Sequence, residues 1–314
     1  MRLIRTSAFR FLSICIVLAM CICSFGIQPS AEKVGAHVKE YYKYDYATGE
    51  RTSYTLSQDI LTNDANEDEA DAQSDDPRVP GGNSGVVKLV INNGKVGSGF
   101  IIDDHVIATA AHCCIQNYKN VYSDIKVLLF ADAADQTPAA SITPVEIHVP
   151  TTYLTSNVFE NPELKHINDY ALITVAEDLS AYEHYDLGTI TDVFEKSGKD
   201  VTVTGFPQTV GSQEVNTVTQ HQMYTGSGAI KEYTWTFPGE KGCILIYGVK
   251  ITGGNSGGPI YVTTTYQKGK TIQTKKTAIG VVIATGYSEN EYLGVRILPE
   301  ILKFYKSNDY VNYA

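Results

Sequence analysis

Three short segments hold side chains that could do chemistry together. Thr109-Ala110-Ala111-His112-Cys113 ends an apolar strand in small residues and then presents an imidazole. Asn168-Asp169-Tyr170-Ala171-Leu172-Ile173 opens another apolar strand with an acid. Gly253-Gly254-Asn255-Ser256-Gly257-Gly258-Pro259 surrounds a serine with glycines. A hydroxyl is a poor nucleophile at its own pKa, so Ser256 needs a neutral imidazole to take its proton, and His112 is the candidate base. Asp169 would fix the tautomer of that ring and stabilise it once protonated. The glycines let the backbone amides of Gly254 and Ser256 converge on one point, where the oxyanion of a tetrahedral intermediate would be held. Taken singly, His112 reads as a strand-end histidine, Asp169 as a turn residue and the glycine-rich run as a hairpin or anion-binding turn. The reading rests on all three.

Such residues need rigid elements to hold them, and the chain is rich in strands. Of its 314 residues 43% are apolar and 19% charged, which excludes a wholly disordered or collagen-like protein. The 21 Tyr and 26 Gly, against 3 Met and 1 Trp, suit pleated surfaces and turns. Short apolar runs recur, among them VVKLVI (86–91), VGSGFII (96–102), HVIATAA (105–111), IKVLLFA (125–131), YALITV (170–175), VTVTGF (201–206), CILIYGV (243–249), IYVTTTY (260–266) and AIGVVIA (278–284). Turn-rich intervals such as INNGK and FPGEKG separate them, with no βαβ rhythm, so the fold class is all-β and antiparallel. Leu298, Ile301, Leu302 and Tyr305 fall at helical spacing and predict a C-terminal amphipathic helix.

The N-terminal quarter reads differently. Arg2, Arg5 and Arg10 precede 17 mostly apolar residues, the layout of a secretory signal, placed at 1–31. An uncleaved membrane anchor is the alternative, since such a run is just long enough to span. Residues 32–78 hold 12 acids against 5 bases and include DILTNDANEDEADAQSDD, which has little apolar content. A solvated linker or acidic propeptide is expected there. Asp64, Asn66 and Asp68 resemble the start of a calcium loop, but Glu69 stands where its tight turn needs Gly. Arg78 then precedes strand-like sequence and marks a processing site, which makes 79–314 the folded domain. The whole chain carries a net charge of −10 and no basic run, so neither nucleic acid nor an anionic membrane surface is an expected partner.

TAAHC, NDYALI and GGNSGGP, in the order His, Asp, Ser, resemble the chymotrypsin-type serine endopeptidases. Within that clan VTVTGFP (201–207), Tyr247 and Thr252-Gly253-Gly254-Asn255-Ser256-Gly257 are similar to the bacterial V8-like glutamyl endopeptidases. The resemblance implies two six-stranded antiparallel β-barrels, about 79–185 and 186–314, with the triad in the cleft between them. It implies a secreted, monomeric endopeptidase made as a zymogen, which uses no cofactor or metal and acts on proteins or peptides. In digestive trypsin-like enzymes an Asp before the serine pairs with the α-amine freed by processing. Asn255 stands there instead, so that ion pair is excluded, and the resemblance implies a Val79 amine near the substrate pocket.

Specificity is where the pattern departs. The His that helps V8-like enzymes hold a glutamate is replaced by Val282, and a pocket-wall Thr or Ser by Ile251. Apolar walls favour an apolar or aromatic side chain before the scissile bond, since burying an unpaired carboxylate costs several kcal/mol. Lys250 would change this only by turning inward. Ile283, Ala284 and Thr285 are expected to offer a strand edge on which an extended peptide pairs. Cys15, Cys21 and Cys23 leave with the signal, so Cys113, Cys114 and Cys243 remain. Their odd number forbids full pairing and leaves open a bridge from Cys243 to either neighbour. Adjacent cysteines beside His112 suit tetrahedral zinc poorly. A catalytically weak relative that binds peptides in the same cleft is the second functional class.

Overall fold

The computed structural model describes residues 37–58, 78–92, 94–132, 136–155, 166–189, 200–233, 243–247, 249–285 and 292–307. The chain divides into Met1–His37 and Val38–Ala314, and the second unit carries the architecture. The signal expected over 1–31 and the acidic run 59–77 lie outside the described residues.

Val, Ile and Thr dominate the strands, and nearly every strand is short. In chain order they are β1 (His37–Asp45), β2 (Arg51–Gln58), β3 (Val79–Pro80), β4 (Val86–Ile91), β5 (Lys95–Asp103), β6 (Val106–Thr109) and β7 (Ile115–Gln116). There follow β8 (Asn120–Val121), β9 (Ile125–Leu129), β10 (Ala140–Ile142), β11 (Glu146–Pro150), β12 (Ala171–Thr174), β13 (Asp186–Leu187) and β14 (Asp200–Gly205). The rest are β15 (Thr209–Val210), β16 (Gln213–Glu214), β17 (Tyr224–Tyr233), β18 (Cys243–Tyr247), β19 (Pro259–Lys268), β20 (Thr271–Thr285) and β21 (Tyr292–Arg296). The predicted C-terminal helix is Pro299–Tyr305, with Pro299 in its first turn, where the missing N–H costs nothing.

Two sheets build two barrels. The first runs β10-β9-β4-β5-β6-β12-β11-β1-β2. In the second, β14, β17, β18, β21, β20 and β19 pair in a closed ring of six, which removes free edges. β13 joins β20 in parallel, an exception to the antiparallel expectation. Val79–Pro80 pairs with Tyr224–Thr225 and so belongs to the second sheet, although in sequence it lies between β2 and β4 of the first. One apolar cluster fills the first barrel and extends to Ile301 and Phe304 of the helix, and a second cluster fills the core of the other barrel.

The solvated-linker expectation does not hold for residues 37–58. They form a β-hairpin that extends the first sheet, with β1 paired to β11 from Tyr41↔Pro150 to Asp45↔Glu146. Tyr41 is fully buried, stacked on Phe304 at 4.6 Å and on Tyr54 at 5.6 Å. Lys43 reaches Glu146 at 2.9 Å, and the Tyr54 hydroxyl lies 3.2 Å from His148 Nδ1. The tyrosines bury enough aromatic surface against an existing strand to offset the entropy of ordering, which the acid-rich average of the region hides.

Candidate active site

The first barrel positions the histidine and the acid. β6 is buried throughout and runs into Ala110, after which a single 3-10 turn, Ala111–Cys113, lifts His112 out of the sheet. β12 pairs with β6 in the register Ala171↔Thr109, so Asp169, two residues before β12, arrives beside that turn. One carboxylate oxygen of Asp169 accepts the backbone N–H of His112 and the other lies against ring Nδ1, both at 2.8 Å. This grip sets the ring's direction and places its proton on Nδ1, leaving Nε2 as the basic nitrogen. Burial opposes the charged ring, but Asp169, and after it Cys113, outweigh it and hold His112 well above its ordinary pKa.

The second barrel carries Ser256 on the turn between β18 and β19, half-buried among buried neighbours. Gly254 has φ +92° and Gly257 φ +86°, a backbone that side chains rarely adopt. A Cβ at Gly257 would stand 2.1 Å from the Ser98 carbonyl oxygen and 2.2 Å from Thr109 Oγ1, and one at Gly254 would stand 2.2 Å from the Phe206 carbonyl. The glycines thus let this turn press directly on the backbone of both barrels.

Ser98 of β5 joins the two halves of the site. Its amide donates to the Ser256 carbonyl at 2.8 Å. Its hydroxyl donates to the Gly254 carbonyl at 2.7 Å and accepts the Phe206 amide at 2.9 Å. Cys113 Sγ lies 3.5 Å from the same Ser256 carbonyl, and Gln208 donates its amide to the Gly253 carbonyl at 2.6 Å. A buried serine between two glycines of an apolar strand was the available signal for Ser98.

His112, Cys113, Gly253, Gly254 and Ser256 line one cavity of about 390 Å³, together with Gln208, Lys95, Tyr118, Tyr122 and Tyr153. Lys95 Nζ donates to the Tyr122 hydroxyl at 2.9 Å across it. Asn117 and Tyr118, at the tip of the β7–β8 hairpin, hold φ of 51° and 59°, strain of the kind that gathers at functional clefts.

The expected specificity residues fall elsewhere. Lys250 is exposed, while Ile251 and Val282 lie in the apolar cluster of the second barrel and Ile283 is buried in the first cluster. The backbone of Val282 brackets the serine turn, accepting from Gly257 N–H at 2.7 Å and donating to the Gly258 carbonyl at 3.0 Å. β19 pairs with β20 as far as Pro259↔Val281, and beyond it Ala284 and Thr285 pair with Leu293 and Tyr292 of β21. Cys113 and Cys114 are buried free thiols, so neither is bridged to Cys243.

Two barrels, one holding a carboxylate-bound histidine and the other a glycine-framed serine at the same cavity, define a two-barrel serine-protease fold. The family model described as trypsin matches residues 74–297, and the chain belongs to the trypsin family. Among solved structures it is similar to a Glu endopeptidase in complex with MPD, with 18% identity over 76% of this chain and 96% of that one, at TM-score 0.54. A second is neuropsin, a serine protease expressed in the limbic system of mouse brain, with 17% identity over 70% and 92% of the two chains, at TM-score 0.47. No curated protein matches the chain.

Proposed function

We propose that the chain is an exported serine endopeptidase that works through Ser256, His112 and Asp169. The observation that carries this reading is the pair of hydrogen bonds from His112 to Asp169, one from the backbone N–H and one from ring Nδ1, which orients the ring beside the cavity that Ser256 also lines. Ser256 Oγ attacks the scissile carbonyl carbon while His112 Nε2 takes its proton. The amides of Gly254 and Ser256 receive the oxyanion, and the positive φ of Gly254 supports that arrangement. His112 then gives the proton to the leaving amine, and water repeats the cycle on the acyl-enzyme. Substrate enters as an extended strand along Ala284–Thr285, whose described pairing is to β21. The residue before the scissile bond is apolar or aromatic, a preference that rests on Ile251 and Val282 standing in the sequence where V8-like enzymes carry polar side chains; in the fold both are buried in the core of the second barrel, and Lys250 is exposed.

Fluorophosphonate labelling of the protein as it is secreted, with whatever processing it undergoes, beside Ser256→Ala, read by peptide mass spectrometry, tests the reaction. Label on Ser256, lost in the variant, is the expected result. No label in the unsubstituted protein refutes the activity and leaves a peptide-binding relative. A peptide-library profile dominated by Glu or Asp refutes the apolar preference alone.

A further inference from the structure

The side chain of Arg78 does not reach into solvent as a protease recognition residue must. It is only 7% exposed, and its guanidinium lies against the segment that precedes Ser256. Nη1 donates to Thr252 Oγ1 at 3.0 Å and reaches Asn255 Oδ1 at 3.5 Å. Nη2 donates to the Thr209 carbonyl at 2.9 Å, and Thr252 Oγ1 donates to that carbonyl at the same distance.

These contacts close a loop of bonds around the serine turn. Asn255 Oδ1 also accepts the Thr252 amide at 3.1 Å, and the Asn255 amide donates to the Thr252 carbonyl at 3.1 Å. The Thr252–Asn255 turn is therefore clamped on itself and then tied by Arg78 to residue 209, whose neighbour Gln208 holds the Gly253 carbonyl. Gly254 lies inside this clamp, and its amide is one of the two oxyanion donors proposed above.

The backbone at Arg78 is anchored where the side chain needs it. Val79 and Pro80 pair with Thr225 and Tyr224, Gly81 N–H donates to the Met223 carbonyl at 2.8 Å, and Thr225 Oγ1 donates to the Gly81 carbonyl at 2.9 Å. A Cβ on Gly226 would stand 3.3 Å from Arg78 Cγ, so the aliphatic stem lies over β17. Cleavage after Arg78 would cut the guanidinium away from this anchor.

We propose that Arg78 is a positioning residue of the active enzyme: its guanidinium braces the Thr252–Asn255 turn and so sets the Gly254 amide for the oxyanion, and the active chain keeps Arg78. The inference rests on the proposed reaction, and it places any removed segment N-terminal to Arg78. A guanidinium suits the task because its planar fork bonds several oxygens at fixed angles, which an ammonium does not.

The test uses the full-length protein as it is secreted. The N-terminus of the fluorophosphonate-labelled species is read by mass spectrometry. Turnover of a peptide substrate is measured for Arg78→Ala, Arg78→Lys and Thr252→Val, with amide hydrogen exchange over 249–257 in each. The expected results are a labelled species that contains Arg78 and a kcat at least tenfold lower in Arg78→Ala with KM little changed. Arg78→Lys should recover only part of the loss, added guanidinium should restore Arg78→Ala in part, and exchange should quicken over 249–257. Should Arg78→Ala fail to fold, Thr252→Val carries the same kcat and exchange expectations. A labelled species that begins at Val79 overturns the proposal, as does a kcat within twofold of the unsubstituted enzyme. If the unsubstituted protein takes no label, the proposed reaction fails, and unchanged exchange over 249–257 then overturns the bracing separately.

Discussion

Ser98 and Ser256 sit on different barrels, 158 residues apart in the chain, and the amide of the first donates to the carbonyl of the second at 2.8 Å. The Ser98 hydroxyl adds bonds to the Gly254 carbonyl and the Phe206 amide, so one side chain of the first barrel sets the height of the serine turn on the second. The barrels thereby act as one template, which a cleft reaction needs because small misplacements are costly.

Ser98→Ala removes the hydroxyl and leaves a buried carbonyl and a buried amide without it. Leaving such groups unsatisfied costs about 1–3 kcal/mol each, so the urea midpoint should fall. Turnover should fall with it, because the Gly254 peptide loses its anchor. Equilibrium unfolding and kcat measured on the same preparation check this, and an unchanged midpoint would show that the barrels are held together elsewhere.

Activity and stability should respond to pH in opposite senses at His112. Its pKa is raised in the folded protein, and the reaction needs the neutral ring, so kcat/KM should climb with pH through a value above the ordinary ~6.5. The stabilisation from the His112–Asp169 pair is fully present below that ordinary value and is lost as pH rises through the raised one. In Asp169→Asn the carboxylate is gone and burial is opposed only by Cys113, so the acidic limb should move down. The rate itself should drop by up to about 10⁴-fold, as it does when the acid of such a triad becomes an amide. A pH–rate profile of both forms decides it.

The hairpin 37–58 should matter to stability. Truncating a buried aromatic costs about 3–5 kcal/mol, so Tyr41→Ala should lower the melting temperature sharply, while Tyr42→Ala, half-buried, should lower it less. Thermal unfolding of the two variants measures the difference, and equal shifts would mean that Tyr41 does not hold the hairpin down.

The same hairpin shows what a sequence does and does not disclose. Strand class, the C-terminal helix and the three chemical segments were legible because each is written in a dozen contiguous residues. The hairpin was not, because its value lies in β11 and Phe304, more than 90 residues away, and the neighbouring acids dominate any local average. The contacts of Ser98, and of Arg78, which the sequence presents only as a processing site, are hidden for the same reason, since their partners Gly254 and Thr252 stand 156 and 174 positions further on.

Lys88 carries the last prediction. It stands in the middle of the fully buried β4, where its ammonium donates to the carbonyls of Thr217 at 2.7 Å and Gln220 at 2.6 Å and lies 3.1 Å from His221 Nδ1. Burial pushes its pKa down to about 8. Between about 8 and the ordinary 10.5 the unfolded chain binds more of the Lys88 proton than the folded one, so this lysine contributes stability that rises with pH, against the fall contributed by Cys114 and the buried Tyr170 and Tyr185, whose pKa values burial raises. Lys88→Met should remove the rising contribution, so that stability falls more steeply with pH in the variant than in the unsubstituted protein. It should also loosen the 206–222 loop, because two carbonyls lose their donor, and that loop delivers Gln208 to the Gly253 carbonyl. Urea unfolding at stepped pH, with kcat followed in parallel, would separate the two effects: the slope reports the buried charge, and the rate reports the loop.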